Sequence, residues 1–125
     1  MIVQLTYLGA AGWHFESGAG SLLVDPYFTR LSMGKMLFGR AIPDRAVVDK
    51  FAPPAGWILI SHPHYDHLMD VPAIVERGGA VVYASAQAND LLAALGVAAD
   101  RRSAINPGDR IAPGDFEIEV YGSVH

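Results

Sequence analysis

The chain has 125 residues, 51% hydrophobic and 18% charged, which is enough for one domain with its own core and too apolar for an intrinsically disordered chain. Thirteen acidic against nine basic side chains leave a formal charge of −4, and the Lys and Arg are scattered, with only Arg101 and Arg102 adjacent. No basic stripe for nucleic acid is visible, so no nucleic-acid partner is expected. With no cysteine, disulfides, thiolate metal sites and cysteine nucleophiles are excluded, and any metal must be held by His, Asp or Glu.

The amino terminus, Met1 to Gly9, has no basic residue before its apolar stretch, and the first basic residue is Arg30. It does not have the pattern of a signal peptide. No apolar run approaches the ~20 residues that cross a bilayer. A soluble, cytoplasmic protein with no transmembrane segment is therefore expected.

Ile2 to Leu8, Trp13 to Phe15 and Ser21 to Val24, separated by Gly-rich breaks, read as a β-meander with hairpin turns. Asp25-Pro26 ends the third strand, since proline has no amide for a further ladder bond. From about residue 29 to residue 56 periodicity fails and Gly, Met and Pro are spread throughout. This segment reads as a long, partly helical excursion over the surface, where Met33, Met36, Leu37 and Phe38 could line a substrate entrance.

Trp57 to Ile60 is an uninterrupted apolar run, suited to a strand buried on both faces. A helix follows, with Asp70 as N-cap, Pro72 in its first turn, Val71, Ile74 and Val75 on one face and Gly78-Gly79 as its end. Ala80 to Tyr83 is the next strand. Ser85 then caps a second helix with Ala88, Leu91, Leu92 and Leu95 as its apolar stripe. Strand, helix, strand, helix in succession predicts parallel pairing and an α/β fold. Finally, Arg110 to Ala112 and the alternation of Phe116, Ile118 and Val120 with Glu117, Glu119 and Tyr121 predict a hairpin with one wet face.

Three of the chain's five histidines fall within six residues: His62, His64 and His67, with Asp66 between them. These are ligands for borderline divalent metals, placed on a loop at the end of a buried strand. In an extended segment His62 and His64 point to the same side and can reach one ion at ~2.0–2.1 Å, while Asp66 and His67 lie beyond the turn and can face a second position.

His62-Pro63-His64-Tyr65-Asp66-His67 resembles the HxHxDH signature of the metallo-β-lactamase fold superfamily. Val24-Asp-Pro-Tyr-Phe28 together with Ser61 to Leu68 is most similar to its group of ascorbate-phosphate lactonases and N-acyl-phosphatidylethanolamine phospholipases. The resemblance implies an αββα sandwich, of which residues 1–125 match the amino-terminal half. It also implies a first metal held by His62, His64 and a later histidine after a strand, which His125 matches. Asp66 and His67 match ligands of the second metal, while the family's later bridging Asp and final His have no counterpart.

The implied activity is that of a hydrolase using a metal-bound hydroxide on an ester, lactone or phosphodiester, with Asp66 as the catalytic residue that orients the nucleophile. The metal would be Zn2+ by ligand type, one ion or two, with Mn2+ or Fe2+ as alternatives. The expected partners are a small-molecule substrate and, if the chain is one piece of a longer protein, a complementing carboxyl-terminal half or a second copy. Two other readings compete. An amidohydrolase barrel also carries His-x-His at a strand end, but needs ~250 residues and lacks this meander. The chain could instead be a catalytically incomplete half-domain that binds metal or self-associates. His14, between Trp13 and Phe15, is read as an ordinary strand histidine. Asp25 is read as closing its own turn, with at most an indirect role behind the ligands.

Overall fold

The computed structural model describes residues 2–9, 12–29, 45–62 and 68–122. The predicted meander is present as β1 (Gln4–Gly9), β2 (Gly12–Ser17) and β3 (Gly20–Val24), paired antiparallel with Leu5 opposite Phe15 and Phe15 opposite Leu22. From β3 the sheet changes character. β4 (Trp57–Leu59), β5 (Val81–Ala84) and β6 (Arg102–Ala104) are added in parallel, giving six strands in the order β1 to β6. The short strand β6 has no counterpart among the sequence-based expectations. Its Arg-Ser-Ala carries no apolar alternation, and only the docking of Ser103 beside Tyr83 makes it a strand.

The crossovers contain α1 (Arg45–Phe51), α2 (Val71–Gly78) and α3 (Ala86–Ala94). A sheet that grows in one direction by right-handed crossovers puts every helix on the same face. Accordingly Val48 of α1, Ile74 of α2 and Leu92 of α3 share one core cluster with Leu23, Ile58 and Val82 of the sheet. α1 is tied to α2 by the Arg77 guanidinium, which donates to the carbonyls of Val48 at 3.2 Å, Ala52 at 2.9 Å and Pro53 at 3.3 Å. The last carbonyls of a short helix need such donors from outside it, and the Val48 carbonyl also accepts from the Ala52 amide at 2.9 Å.

Two sequence expectations need correction. The face of β4 opposite the helices is not sealed: Trp57 and Leu59 are only half-buried, whereas Ile58 is buried. The α3 stripe is also narrower than predicted, with Ala88 and Leu92 buried but Leu91 and Leu95 exposed. The helix ends at Ala94, and Val97 turns back to fill the core instead, its amide donating to the Leu92 carbonyl at 3.0 Å. Ser85 caps α3 as expected, accepting from the Ala88 amide at 3.2 Å.

The outer sheet face carries Leu5, Tyr7, Trp13, Phe15, Leu22, Val24, Trp57, Leu59, Val81 and Tyr83, all in register. Leu22 is buried there, while the other nine are half-buried or exposed. The predicted hairpin, β7 (Arg110–Ile111) with β8 (Ile118–Glu119), covers part of this face. Phe116 meets Phe15 edge-on at 6.3 Å, and Gly114 lies so close over Trp57 that an added Cβ would come within 2.6 Å of its ring. Phe116, Ile118 and Val120 are half-buried and Glu117, Glu119 and Tyr121 exposed, the predicted alternation.

Candidate metal centre

Parallel strands direct their carboxyl ends, and the loops leaving them, to one edge of the sheet, where α/β folds place their sites. The exit of β3 and the exit of β4 are neighbours there, because Val24 pairs with Leu59 and the Asp25 amide donates to the Leu59 carbonyl at 2.9 Å. His62, three residues past the end of β4, stands at this edge and is half-buried. His64, Asp66, His67 and His125 lie outside the described residues, as does the entrance segment containing Met33, Met36, Leu37 and Phe38. His14 stands on the helix-facing side of β2, opposite Leu23 in mid-strand, with a buried Nε2 that has no hydrogen-bond partner among the described residues. It is not at this edge.

The described residues on either side of the motif, Ser61 and Asp70, each take part in a carboxylate tie. Asp25 is 4% exposed and adopts φ 46°, a left-handed conformation that Asp tolerates better than most residues. Its Oδ1 accepts from the Ser61 amide at 2.7 Å and its Oδ2 from the Ser61 hydroxyl at 2.5 Å. The expectation that Asp25 closes a turn on its own backbone is thereby corrected: its carboxylate reaches across to the residue before His62. Beyond the motif, Asp70 is fully buried. It occupies the N-cap position of α2 but makes no side-chain cap bond. Its Oδ2 accepts from the amides of Phe28 at 2.6 Å and Thr29 at 2.8 Å, and its Oδ1 from the Thr29 hydroxyl at 2.6 Å. The cap expectation fails because these three donors compete for the same oxygens, and a buried carboxylate gains more from three short bonds than from one cap.

Sequence reading underrated both aspartates. The available signal was the coincidence of Asp-Pro at one strand exit with Asp at the far side of the histidine motif. Only the parallel register of β3 and β4 turns that into contact.

Gly12 completes the frame from β2. A Cβ there would meet the Asp25 carbonyl oxygen at 3.1 Å, the Gly9 oxygen at 3.3 Å and the Leu8 Cβ at 3.3 Å, and two of the three are backbone atoms that cannot swing aside. Gly12→Ala is expected to cost about 1–3 kcal/mol, the usual range for overpacking, read as a lowered urea midpoint at unchanged slope. An unchanged midpoint would show that the β2 start yields freely.

The donor chemistry suits a borderline divalent ion. The motif supplies imidazoles and one carboxylate with no competing thiol, and His62 leaves a backbone already tied at Ser61. Asp25 and Asp70 are buried, and their carboxylates accept from N–H and O–H donors at Ser61, Phe28 and Thr29.

The family model for the beta-lactamase superfamily domain matches residues 21–123, and the chain belongs to that family. Among curated proteins it is 30% identical to a "UPF0173 metal-dependent hydrolase" of Rhizobium johnstonii, over 98% of this chain and 48% of that one. It is 32% identical to another of that name from Rhizobium leguminosarum bv. trifolii, with the same coverage. The chain thus spans about half the length of the curated relatives it matches. Among solved structures, the subclass B3 metallo-beta-lactamase BJP-1 of Bradyrhizobium japonicum superposes with a TM-score of 0.64 at 21% identity, over 96% of this chain and 49% of that one. Igni18, a metallo hydrolase of Ignicoccus hospitalis, gives 0.61 at 21% identity, over 87% and 42%. The mixed sheet with helices on one face is the metallo-β-lactamase fold, of which this chain covers about half.

Proposed function

We propose that the protein containing this chain is a metal-dependent hydrolase acting on a small ester, lactone or phosphodiester. The observation that carries the reading is the position of His62, which stands at the carboxyl edge of the parallel strands, on a backbone tied down immediately before it. The names of the curated relatives and the family membership support it.

In this reading His62, His64 and His125 hold a first divalent ion, and Asp66 and His67 contribute to a second; zinc fits the ligand types, with Mn2+ or Fe2+ as alternatives. Such an ion, when bound, supplies Lewis acidity toward the bond under attack and makes water a stronger acid. The chain's own residues do the rest. Neutral imidazoles present lone pairs in a fixed direction, and Asp66 accepts a hydrogen bond from the attacking water and aligns it. The Asp25 and Asp70 ties spare the loop the entropy of ordering itself at each turnover. The test is hydrolysis of lactone and bis-aryl phosphodiester probes by the protein as its natural reading frame encodes it, with and without chelator. Chelator-sensitive turnover restored by zinc or manganese is expected, whereas turnover indifferent to chelator would reject the reading. The 125-residue chain alone is expected to turn over very weakly.

A second reading has one specific observation behind it. Along the outer sheet face, Leu5, Tyr7 and Trp13 are 53%, 58% and 38% exposed, and an apolar patch of this kind rarely stays uncovered. The occupant we propose is the second sheet of a complete domain, since the relatives are about twice as long. Without it, the 125-residue chain should dimerise or aggregate through this face. Sedimentation at several concentrations checks this; a stable monomer at tens of micromolar, about where weak associations become visible, would refute it.

A further inference from the structure

A cleft of about 330 Å3 opens in the helix layer, between α2, Arg45 at the start of α1 and the turn that follows α3. Small-molecule sites begin at about this volume. Pro72 and Val75 of α2 and Leu95 and Val97 after α3 give it an apolar wall. Pro72, Val75 and Glu76 stand at i, i+3 and i+4, so they form one stripe along the helix. Leu95, which α3 does not carry into the core, lines the cleft while 55% exposed.

The charged side chains on the cleft are Arg45, Glu76 and Arg101. The first two pair with each other, which leaves one net positive charge, on Arg101. Its Nη1 donates to the Gly79 carbonyl at 2.6 Å, at the carboxyl end of α2. That is the one bond this guanidinium makes among the described residues, and a guanidinium carries five N–H donors in a fixed fork. Arg101 is thus anchored at the cleft with donors to spare, and a fork already held in place loses less freedom when it takes a further partner. The cleft has a direction as a result. Its cationic end lies beside Gly79, and the α2 stripe runs back from there to Pro72, about 10 Å at 1.5 Å per residue.

We propose that this cleft binds a small aliphatic monocarboxylate, with the carboxylate on Arg101 and the chain along Pro72, Val75 and Leu95. A single net positive charge suits a monoanion, and the Glu76 carboxylate counts against a dianion such as phosphate. A cationic amine would meet Arg101 as a like charge. The apolar wall adds to binding only for a ligand that has a chain to bury there. None of these residues belongs to the histidine motif, and the site needs no metal ion, so the proposal is independent of the hydrolytic reading.

The test is calorimetric titration of octanoate into the protein as its natural reading frame encodes it, stripped of metal by chelator and dialysis so that no ion is present to take the carboxylate. A dissociation constant of ~0.1–1 mM is expected, in keeping with the binding energy per atom that small ligands reach. Acetate lacks the chain, octanol the charge, and inorganic phosphate the chain and the single charge. Each should bind about tenfold more weakly or worse, since the head contact and the chain contact are each worth more than 1.4 kcal/mol.

Arg101→Gln keeps an NH2 for the Gly79 carbonyl and removes the charge. It is expected to weaken octanoate binding about tenfold or more, as loss of a hydrogen bond to a charged group does. Leu95→Glu changes an exposed position and sets a carboxylate in the cleft, so it should abolish binding with little change in the urea midpoint. Should Arg101→Gln fail to fold, Leu95→Glu decides alone. The proposal is overturned by any of three results: no octanoate binding to the parent protein, octanoate binding unchanged in Leu95→Glu or in folded Arg101→Gln, or acetate, octanol or phosphate binding as tightly as octanoate.

Discussion

Alanine at both His62 and His64 is expected to abolish divalent-metal binding at the first position and to take hydrolysis below detection. Complete tetrahedral zinc sites hold their ion with an apparent ~10–16 kcal/mol. Shared over four ligands, that is about 2.5–4 kcal/mol each, so each imidazole removed should weaken binding by ~10²–10³-fold and the pair by the product. Isothermal titration of the single and double variants measures this directly. Full affinity in the double variant would remove both histidines from the site. The His62 substitution should cost the metal-free fold little, since His62 is only half-buried and lies outside the core cluster.

Ile58→Ala should have the opposite profile. Ile58 is the middle residue of β4, 0% exposed, flanked in register by Leu23 and Val82 and clustered with residues of all three helices. Truncating a buried Ile to Ala costs about 2–5 kcal/mol, the upper part of that range applying where neighbours cannot collapse into the space. Strands bonded on both sides leave little room to collapse. Against a total stability of about 5–15 kcal/mol, one such cavity consumes a large share. Urea denaturation followed by circular dichroism should show the midpoint falling accordingly; a change below about 1 kcal/mol would mean that the inner face is not the one carrying the core. The outer neighbours Trp57 and Leu59, half-buried, should respond less to truncation.

How far the sequence could be read depended on whether an element is specified by its own residues or by its neighbours. The meander, β4, α2, the Ser85 cap and the final hairpin carry their own signals: Gly-rich turns, an apolar run, a 3.6 period, a capping hydroxyl and strict alternation. Of the histidine motif, His62 stands just past a strand end as the sequence reading expects. β6 was not legible, because an Arg-Ser-Ala strand exists only by pairing with β5. The half-open outer face was also hidden, since Trp57 and Leu59 are as apolar as Ile58 and composition does not say which side a layer covers. Asp25 and Asp70 were misread for a related reason. Local rules offered each a partner nearby, and the tertiary register supplied better ones more than thirty positions away.

The change in the sheet at β3 has a further consequence, for the order in which the molecule assembles. The hairpins β1–β2 and β2–β3 join residues close in sequence, Ser17 with Gly20 at the tightest point, and such hairpins close in ~1–10 μs. The parallel junction of Leu22 with Trp57 must first close the whole excursion between them, which is slower because the loop entropy is lost before the contact repays it. The Asp25–Ser61 and Asp70–Thr29 ties span that junction and form only after it. Interactions absent from the folding transition state raise the barrier to unfolding and leave the folding rate alone. A bound ion at the motif should therefore act as a latch: the loaded protein is expected to fold at the metal-free rate and to unfold more slowly, so that metal sets the lifetime of the native state and not the speed of reaching it.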